Sequence, residues 1–274
     1  MKLRKALDKA RLEIVVNNNN NITNNNGGHG SSAITTKQNG AKKISDAWQE
    51  PVYVQSKRCQ LDSVVTEKNR GVCLQSNSEE IERYKILRTR INHKSTDRPV
   101  KTVMVTSPHN GDGKTTTAIN MAFTFARALD HTVLLVDCDL KNQSVHKYLG
   151  IESHHNIIDH MLDDIPLDEL IIWPGVDKLT LISGNRMVED TSELLSSPMM
   201  EKLVKEVSSR YDDRYVFFDA PPLLDRAEAI SMTPLVDGII MVVAAGVTSK
   251  RDVKAAVDLL PRDKFLGFVL NKQG

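Results

Sequence analysis

Lys114 and Thr115, set directly behind Gly111-Asp112-Gly113, are the residues of this sequence best suited to phosphate chemistry. Glycines let backbone N–H groups close around phosphate oxygens. A lysine carries a positive charge to the β- and γ-phosphates, and a threonine hydroxyl can ligate Mg²⁺. Asn110, Gly111, Asp112, Gly113, Lys114, Thr115 and Thr116 are therefore the expected nucleotide-binding loop, although the strict pattern asks for glycine where this sequence has Pro108. Three aspartates extend the same chemistry. Asp137 and Asp139 close the apolar run Val133–Val136, and Asp219 closes Val216–Phe218. Mg²⁺ takes oxygen ligands from one or two carboxylates, a hydroxyl, water and phosphate, so Thr115, Asp137 and Asp219 are the candidate metal ligands. ATP and Mg²⁺ are the expected cofactors. A strand-end aspartate more often starts a loop or caps a helix; three such elements in this order favour the nucleotide.

The elements that must position these groups are legible as an alternation. Strands are expected near 101–107, 132–137, 178–183, 214–219, 238–244 and 266–270. Helices are expected near 114–128, 142–149, 156–163, 191–209, 226–235 and 249–260. Near-continuous apolar strands alternating with helices predict an α/β fold, a mostly parallel sheet with helices on both faces. In such a sheet ligands sit beyond the carboxyl ends of the strands, where Lys114, Asp137, Asp139 and Asp219 would converge. The following helix adds its positive N-terminal dipole to the phosphate site.

At 274 residues the chain has room for one such domain plus an extended arm. Residues 1–16 read as a short basic amphipathic helix. Residues 17–77 read as an Asn-rich linker and irregular arm, partly disordered, because an Asn/Gly tract cannot bury enough apolar area to offset its ordering entropy. Residues 78–274 form the expected nucleotide-binding domain. It opens with a helix over 78–93 in which Ile81, Tyr84, Leu87 and Ile91 share a face. Net charge is +1, which gives no global field for nucleic acid. No run of about 18 apolar residues suggests a membrane span, and no apolar stretch near the start suggests secretion. Cys59, Cys73 and Cys138 have no metal-ligand spacing and suit a reducing compartment. Cys138 reads as a packing residue rather than a nucleophile, and His154, His155 and His160 as surface residues.

These motifs resemble the cytoplasmic kinase domain of the bacterial tyrosine kinases (BY-kinases) of polysaccharide export. The likeness rests on SPHNGDGKTTTA at 107–118, Asp137-Cys138-Asp139-Leu140-Lys141, Asp219-Ala220-Pro221-Pro222 and the helix motif Glu82-x-x-Lys85-x-x-Arg88. Residues 192–198 and 267–272 are similar as well, while 5–11 and 51–62 resemble the branch associated with exosortase (PEP-CTERM) loci. The resemblance implies a P-loop NTPase fold and ATP-dependent transfer to protein tyrosine. Lys114, Asp137 and Asp139 would serve catalysis, one of the aspartates accepting the tyrosine proton. Asn271 would lie on the adenine side, and Glu82, Lys85 and Arg88 at the contacts of a homo-oligomer, such as a ring. It further implies a separate membrane partner of the chain-length-determinant (polysaccharide co-polymerase) type, hence a cytoplasmic protein peripheral to the inner membrane.

The sequence also departs from the family. Lys141 and Lys85 stand where arginine is usual, losing a planar bidentate fork. The family's C-terminal tyrosine cluster is not expected to act here, since the five tyrosines all lie at or before Tyr215. Two other functions compete. A nonenzymatic, ATP-binding oligomeric regulator would need the loop but not the transfer. A deviant-Walker positioning ATPase would want lysine at position 109, where His109, expected to be largely neutral at pH 7, is too short to reach across a dimer.

Overall fold

The structure, a computed structural model, describes residues 57–71, 74, 79–128, 131–211 and 213–272. The expected helix over 1–16, the Asn-rich tract and the PEP-CTERM-like stretch 5–11 lie outside those residues. One sheet organises everything described. Its strands are β1 (Lys57–Arg58), β2 (Thr102–Thr106), β3 (Thr132–Asp137), β4 (Ile172–Trp173), β5 (Leu179–Ile182), β6 (Arg214–Asp219), β7 (Gly238–Ala244) and β8 (Phe265–Asn271). They lie in the order β1-β4-β5-β3-β6-β2-β7-β8. Every pairing is parallel except β4 with β5. The strands β2, β3, β6 and β7 are buried along their whole length, which is why they read as unbroken apolar runs rather than alternating ones.

Alternate side chains of each strand feed two cores. Val103 and Val105 of β2 join Leu135, Phe217 and Ile240 on one face. That face is covered by α2 (Glu79–Asp97) through Leu87 and Ile91, and by α3 (Lys114–Ala126) through Ala118, Ala122 and Phe125. Met104 joins Leu134, Val136, Phe218 and Met241 on the other. There α5 (Ile157–Asp163), α6 (Leu167–Leu170), α7 (Thr191–Leu195), α8 (Pro198–Ser209), α9 (Glu228–Met232) and α10 (Lys250–Asp258) supply the cover.

Besides the unexpected short elements β4 and α6, three local features depart from the sequence expectation. The single helix expected over 191–209 is two, α7 and α8, separated at Ser196-Ser197. Pro198 has no N–H and fits the first turn of α8, while the Ser197 hydroxyl caps that turn by accepting from Met200 N at 3.3 Å. The helix expected over 142–149 shrinks to α4 (Val145–Tyr148), because the chain before it is recruited by Asp137. Residues 57–71 are not irregular: they hold β1 and α1 (Ser63–Lys68), with Asp62 capping α1 through bonds from Val64 N and Val65 N.

Candidate nucleotide-binding and phosphoryl-transfer site

Register brings the chemistry to one level. Val105 of β2 and Asp137 of β3 each pair with Asp219 of β6, so three strands end side by side. The chain leaves β2 at Thr106, whose hydroxyl donates to Pro221 O at 2.6 Å. Ser107 Oγ then donates to His109 O at 2.7 Å. Gly111 and Gly113 take φ of +85° and +100°, which glycine adopts without a steric penalty. Pro108 needs no such freedom: its φ is not positive, and its carbonyl accepts from Leu224 N at 3.1 Å. The missing glycine therefore leaves the loop intact.

Asp112 is spent inside the loop. Its carboxylate accepts from His109 N at 3.2 Å and from Thr248 Oγ1 at 2.7 Å, and its carbonyl accepts from Asn271 Nδ2 at 2.9 Å. Asn271 thus reaches back from the end of β8 to brace the loop, and it also lines the cavity beside it. The His109 ring packs against Asp225, 2.9 Å from Nδ1, and Asp252, 3.5 Å from Nε2. The hydrogen bond to Asp225 raises its pKa, so the imidazolium is favoured more than the expectation of a largely neutral ring allowed.

Behind the loop lies a buried ionic cluster. Lys114 Nζ is 2.6 Å from Asp139 Oδ2 and 3.9 Å from Asp219 Oδ1. Burial pulls the lysine pKa down, but Asp219 and Asp139 more than offset this, and the net shift is upward. Thr115 Oγ1 donates to Asp219 Oδ2 at 2.7 Å. Burial, only partly opposed by Lys114 and Thr115, raises the Asp219 pKa. Asp137 is pushed up to about 7 by burial and by the Asp219 charge, against bonds from Val145 N and Ser183.

The three aspartates differ in what remains available. Asp137 Oδ2 accepts from Ser144 N, Val145 N and Ser183 Oγ at 2.9 to 3.0 Å, and Oδ1 accepts from Asp139 N at 3.3 Å. Asp139 Oδ2 faces Lys114 Nζ, whereas among the described residues Asp139 Oδ1 and Asp219 Oδ1 receive no hydrogen bond. Cys138 between them is fully buried, and its thiol is held neutral by that burial and by the neighbouring carboxylates. No nucleophile is presented there.

A cavity of about 730 Å³ opens over the loop, lined by Asn110, Gly111, Gly113, Lys114, Thr115 and Thr116 together with Asn271. The expected loop residues are thus brought together, except that Asp112 turns away from the cavity. Of the helix motif, Lys85 pairs with Glu82 at 2.6 Å within α2, whereas Arg88 donates to Thr124 O of α3 at 2.6 Å. Sequence reasoning missed Ser183, Thr248, Asp225 and Glu228. The last is buried, accepts from Thr191 Oγ1 at 2.9 Å, and lies 3.7 Å from Lys141. None carries a local signal: Ser183 follows β5, Asp225 and Glu228 follow β6, and Thr248 follows β7, and each meets a partner distant in sequence.

A mostly parallel sheet with a glycine loop between β2 and α3, and acidic ends on β3 and β6, defines a P-loop NTPase fold. Residues 100–259 match the AAA domain family. The tyrosine-protein kinase YwqD of Bacillus subtilis is 33% identical over 214 residues, covering 74% of this chain and 89% of that protein. The tyrosine-protein kinase CpsD of Streptococcus pneumoniae serotype 4 is 31% identical over 179 residues, covering 63% and 76%. The kinase domain of the Escherichia coli tyrosine kinase ETK shares the fold with a TM-score of 0.65 at 20% identity, over 81% of this chain and 90% of that one. The chain belongs to the bacterial tyrosine kinase (BY-kinase) family.

Proposed function

We propose that this protein is an ATP-dependent protein-tyrosine kinase of an exopolysaccharide-export system. The observation that carries the reading is the convergence of buried Asp139 and Asp219 on Lys114 and Thr115, which line an open cavity over the P-loop. Family membership supports tyrosine as the acceptor, since YwqD and CpsD are named tyrosine-protein kinases.

Phosphoryl transfer asks a protein mainly to position groups and neutralise charge. The backbone of 110–113, Lys114, Thr115 and Thr116 would hold the phosphates. The donor set suits Mg²⁺: an oxygen-only arrangement of Thr115 Oγ1 and Asp219, with Asp219 Oδ1 free of hydrogen bonds among the described residues. Among those residues no three His, Cys, Asp or Glu side chains form a metal site of their own, so phosphate and water oxygens would complete the shell. Bound there, Mg²⁺ would neutralise charge on the phosphates. Asp137, its Oδ2 already accepting three bonds, would act on the metal through water and on the loop 139–145 directly.

In the transfer, the tyrosine oxygen forms a bond to the γ-phosphorus, the bond from that phosphorus to the bridging oxygen breaks, and ADP leaves. The phenolic proton goes to a carboxylate, and Asp139 is the better acceptor, because its Oδ1 accepts no hydrogen bond among the described residues and its Oδ2 faces only Lys114, whereas both Asp137 oxygens accept from neighbouring donors. Phosphate oxygens that draw Lys114 away would release it for that role.

Among the described residues no helix is long and apolar enough to cross a membrane. A cytoplasmic kinase recruited to the inner membrane by an adaptor of the chain-length-determinant type, and oligomeric through α2, completes the proposal. The test is phosphotyrosine formation with Mg-ATP, with and without the cytoplasmic segment of such an adaptor. Lys114-dependent signal supports the kinase. Absence of signal despite ATP binding, with the adaptor segment present, would replace it with an ATP-gated regulator.

A further inference from the structure

Residues 57–71 lie outside the matched AAA domain, yet they pack on it and bring Arg70 to the wall of its cavity. Backbone bonds fasten their first half: Lys57 N to Ile171 O at 3.2 Å, Cys59 N to Trp173 O at 3.1 Å and Leu61 N to Pro174 O at 3.1 Å. Asp62 N then donates to Leu149 O at 2.9 Å, at the end of α4. Gly150 admits this approach, since a Cβ there would stand 2.6 Å from Asp62 Cβ. Beyond α1, Asn69 Nδ2 donates to Tyr148 O at 3.2 Å, and Asn120 Nδ2, from the buried face of α3, donates to Arg70 O at 3.0 Å.

Arg70 is therefore fixed at its backbone from two sides. It also holds φ of +61°, a conformation uncommon for a residue with a Cβ, where the chain turns out of α1. That turn carries its side chain to the cavity that Lys114, Thr115 and Thr116 line, with Tyr148 beside it. Among the described residues no carboxylate pairs with the guanidinium. A cation anchored through its backbone beside a phosphate loop, without an acidic partner among the described residues, has one evident ligand chemistry. Guanidinium forks bind phosphate oxygens through paired, charge-assisted hydrogen bonds.

We infer that Arg70 is a nucleotide-contacting residue, binding the phosphate chain of ATP and making the 57–71 segment part of the nucleotide site. The inference rests on the reading of this cavity as an ATP site. Linkage makes the coupling reciprocal: nucleotide that engages Arg70 also tightens the docking of α1 on α3 and α4.

Calorimetric titration of the whole chain with Mg-ATP tests it, comparing wild type with Arg70→Gln, Arg70→Lys and Lys114→Met. Arg70 is exposed and caps no core, so its variants should fold. The expected result is about tenfold weaker binding for Arg70→Gln, with Arg70→Lys, which keeps the charge but loses the fork, between wild type and Arg70→Gln. In parallel, hydrogen exchange over 63–71 should slow on Mg-ATP addition in wild type but not in Arg70→Gln. Wild-type affinity in Arg70→Gln overturns the inference, and so does exchange over 63–71 that Mg-ATP slows equally in wild type and Arg70→Gln. Failure of the ATP-site reading looks different: wild type would not bind Mg-ATP, or Lys114→Met would bind it equally well.

Discussion

Lys114 Nζ stands 2.6 Å from Asp139 Oδ2, so the cation that phosphate oxygens would recruit is already the counter-ion of a buried carboxylate. Lys114 therefore has a structural role beside the one proposed for it in phosphate binding. Lys114→Met should abolish phosphotyrosine formation and also leave Asp137, Asp139 and Asp219 buried without a cation, costing about 3–5 kcal/mol of stability at pH 8. The sign with pH follows from the raised carboxylates. Asp137 folds with a pKa of about 7 and Asp219 above its ordinary value, and both would rise further without the lysine. Groups with raised folded pKa favour the fold at low pH and lose that contribution as pH rises through the folded value. The deficit of the variant should therefore shrink at pH 5.5, as urea denaturation at the two pH values would register.

Asp137 and Asp139 are two residues apart and should fail differently. Asp137 Oδ2 collects three donors that shape the chain before α4. Asp137→Asn should cost about 1–3 kcal/mol through its disturbed donors, besides lowering activity. Asp139→Asn should lower the transfer rate by a factor of about 10²–10⁴, the range for a general base, with Mg-ATP affinity held within a few-fold. Single-turnover kinetics alongside binding titrations separate the two.

Gly113 carries both a conformational and a steric demand. Its φ is +100°, and a Cβ there would meet Asn271 Nδ2 at 1.9 Å. Asn271 can swing aside, but Asp112 O then loses its donor. Gly113→Ala should cost about 1–3 kcal/mol from backbone strain and weaken Mg-ATP binding by more than tenfold. Adding Asn271→Ala should recover only the steric part, which a double-mutant cycle isolates.

The helix α2 offers a contrast between an inward and an outward cation. Arg88 bonds the Thr124 carbonyl near the end of α3, and Arg88→Ala should lower stability by about 1–2 kcal/mol. The exposed Glu82–Lys85 pair contributes at most about 1 kcal/mol. If α2 mediates self-association, Lys85→Ala should reduce the oligomer seen by light scattering while leaving the melting transition nearly unchanged. Unaltered mass at every concentration would remove Lys85 from the interface.

What the sequence made legible follows from where each element is buried. Strands covered on both faces, such as Gly238–Ala244, read as continuous apolar runs, and the glycines of the loop mark its positive-φ turns. The two-residue strands β1 and β4 have no length in which a period can appear, and their order comes from bonds to residues far along the chain. The break before α8 was legible, since Ser197-Pro198 is a cap followed by a residue suited to the first turn. The apolar spacing that runs through both helices hid it. Within the site, Lys114, Thr115 and the three aspartates follow from motif and position. Ser183, Thr248 and Arg70 do not, because each acts across a fold that brings distant loops to one cavity.

The strand order has a consequence for re-engineering the chain. β1 and β8, the first and last described strands, occupy opposite margins of one sheet. Seven interstrand spacings separate them, roughly 34 Å at about 4.8 Å each. A circular permutant joining residues 57 and 272 would need a bridge of at least about ten extended residues. A shorter bridge would peel one margin away, and the two losses are not equivalent: freeing β8 removes the Asn271 brace from the phosphate loop, whereas freeing β1 loosens the segment that carries Arg70.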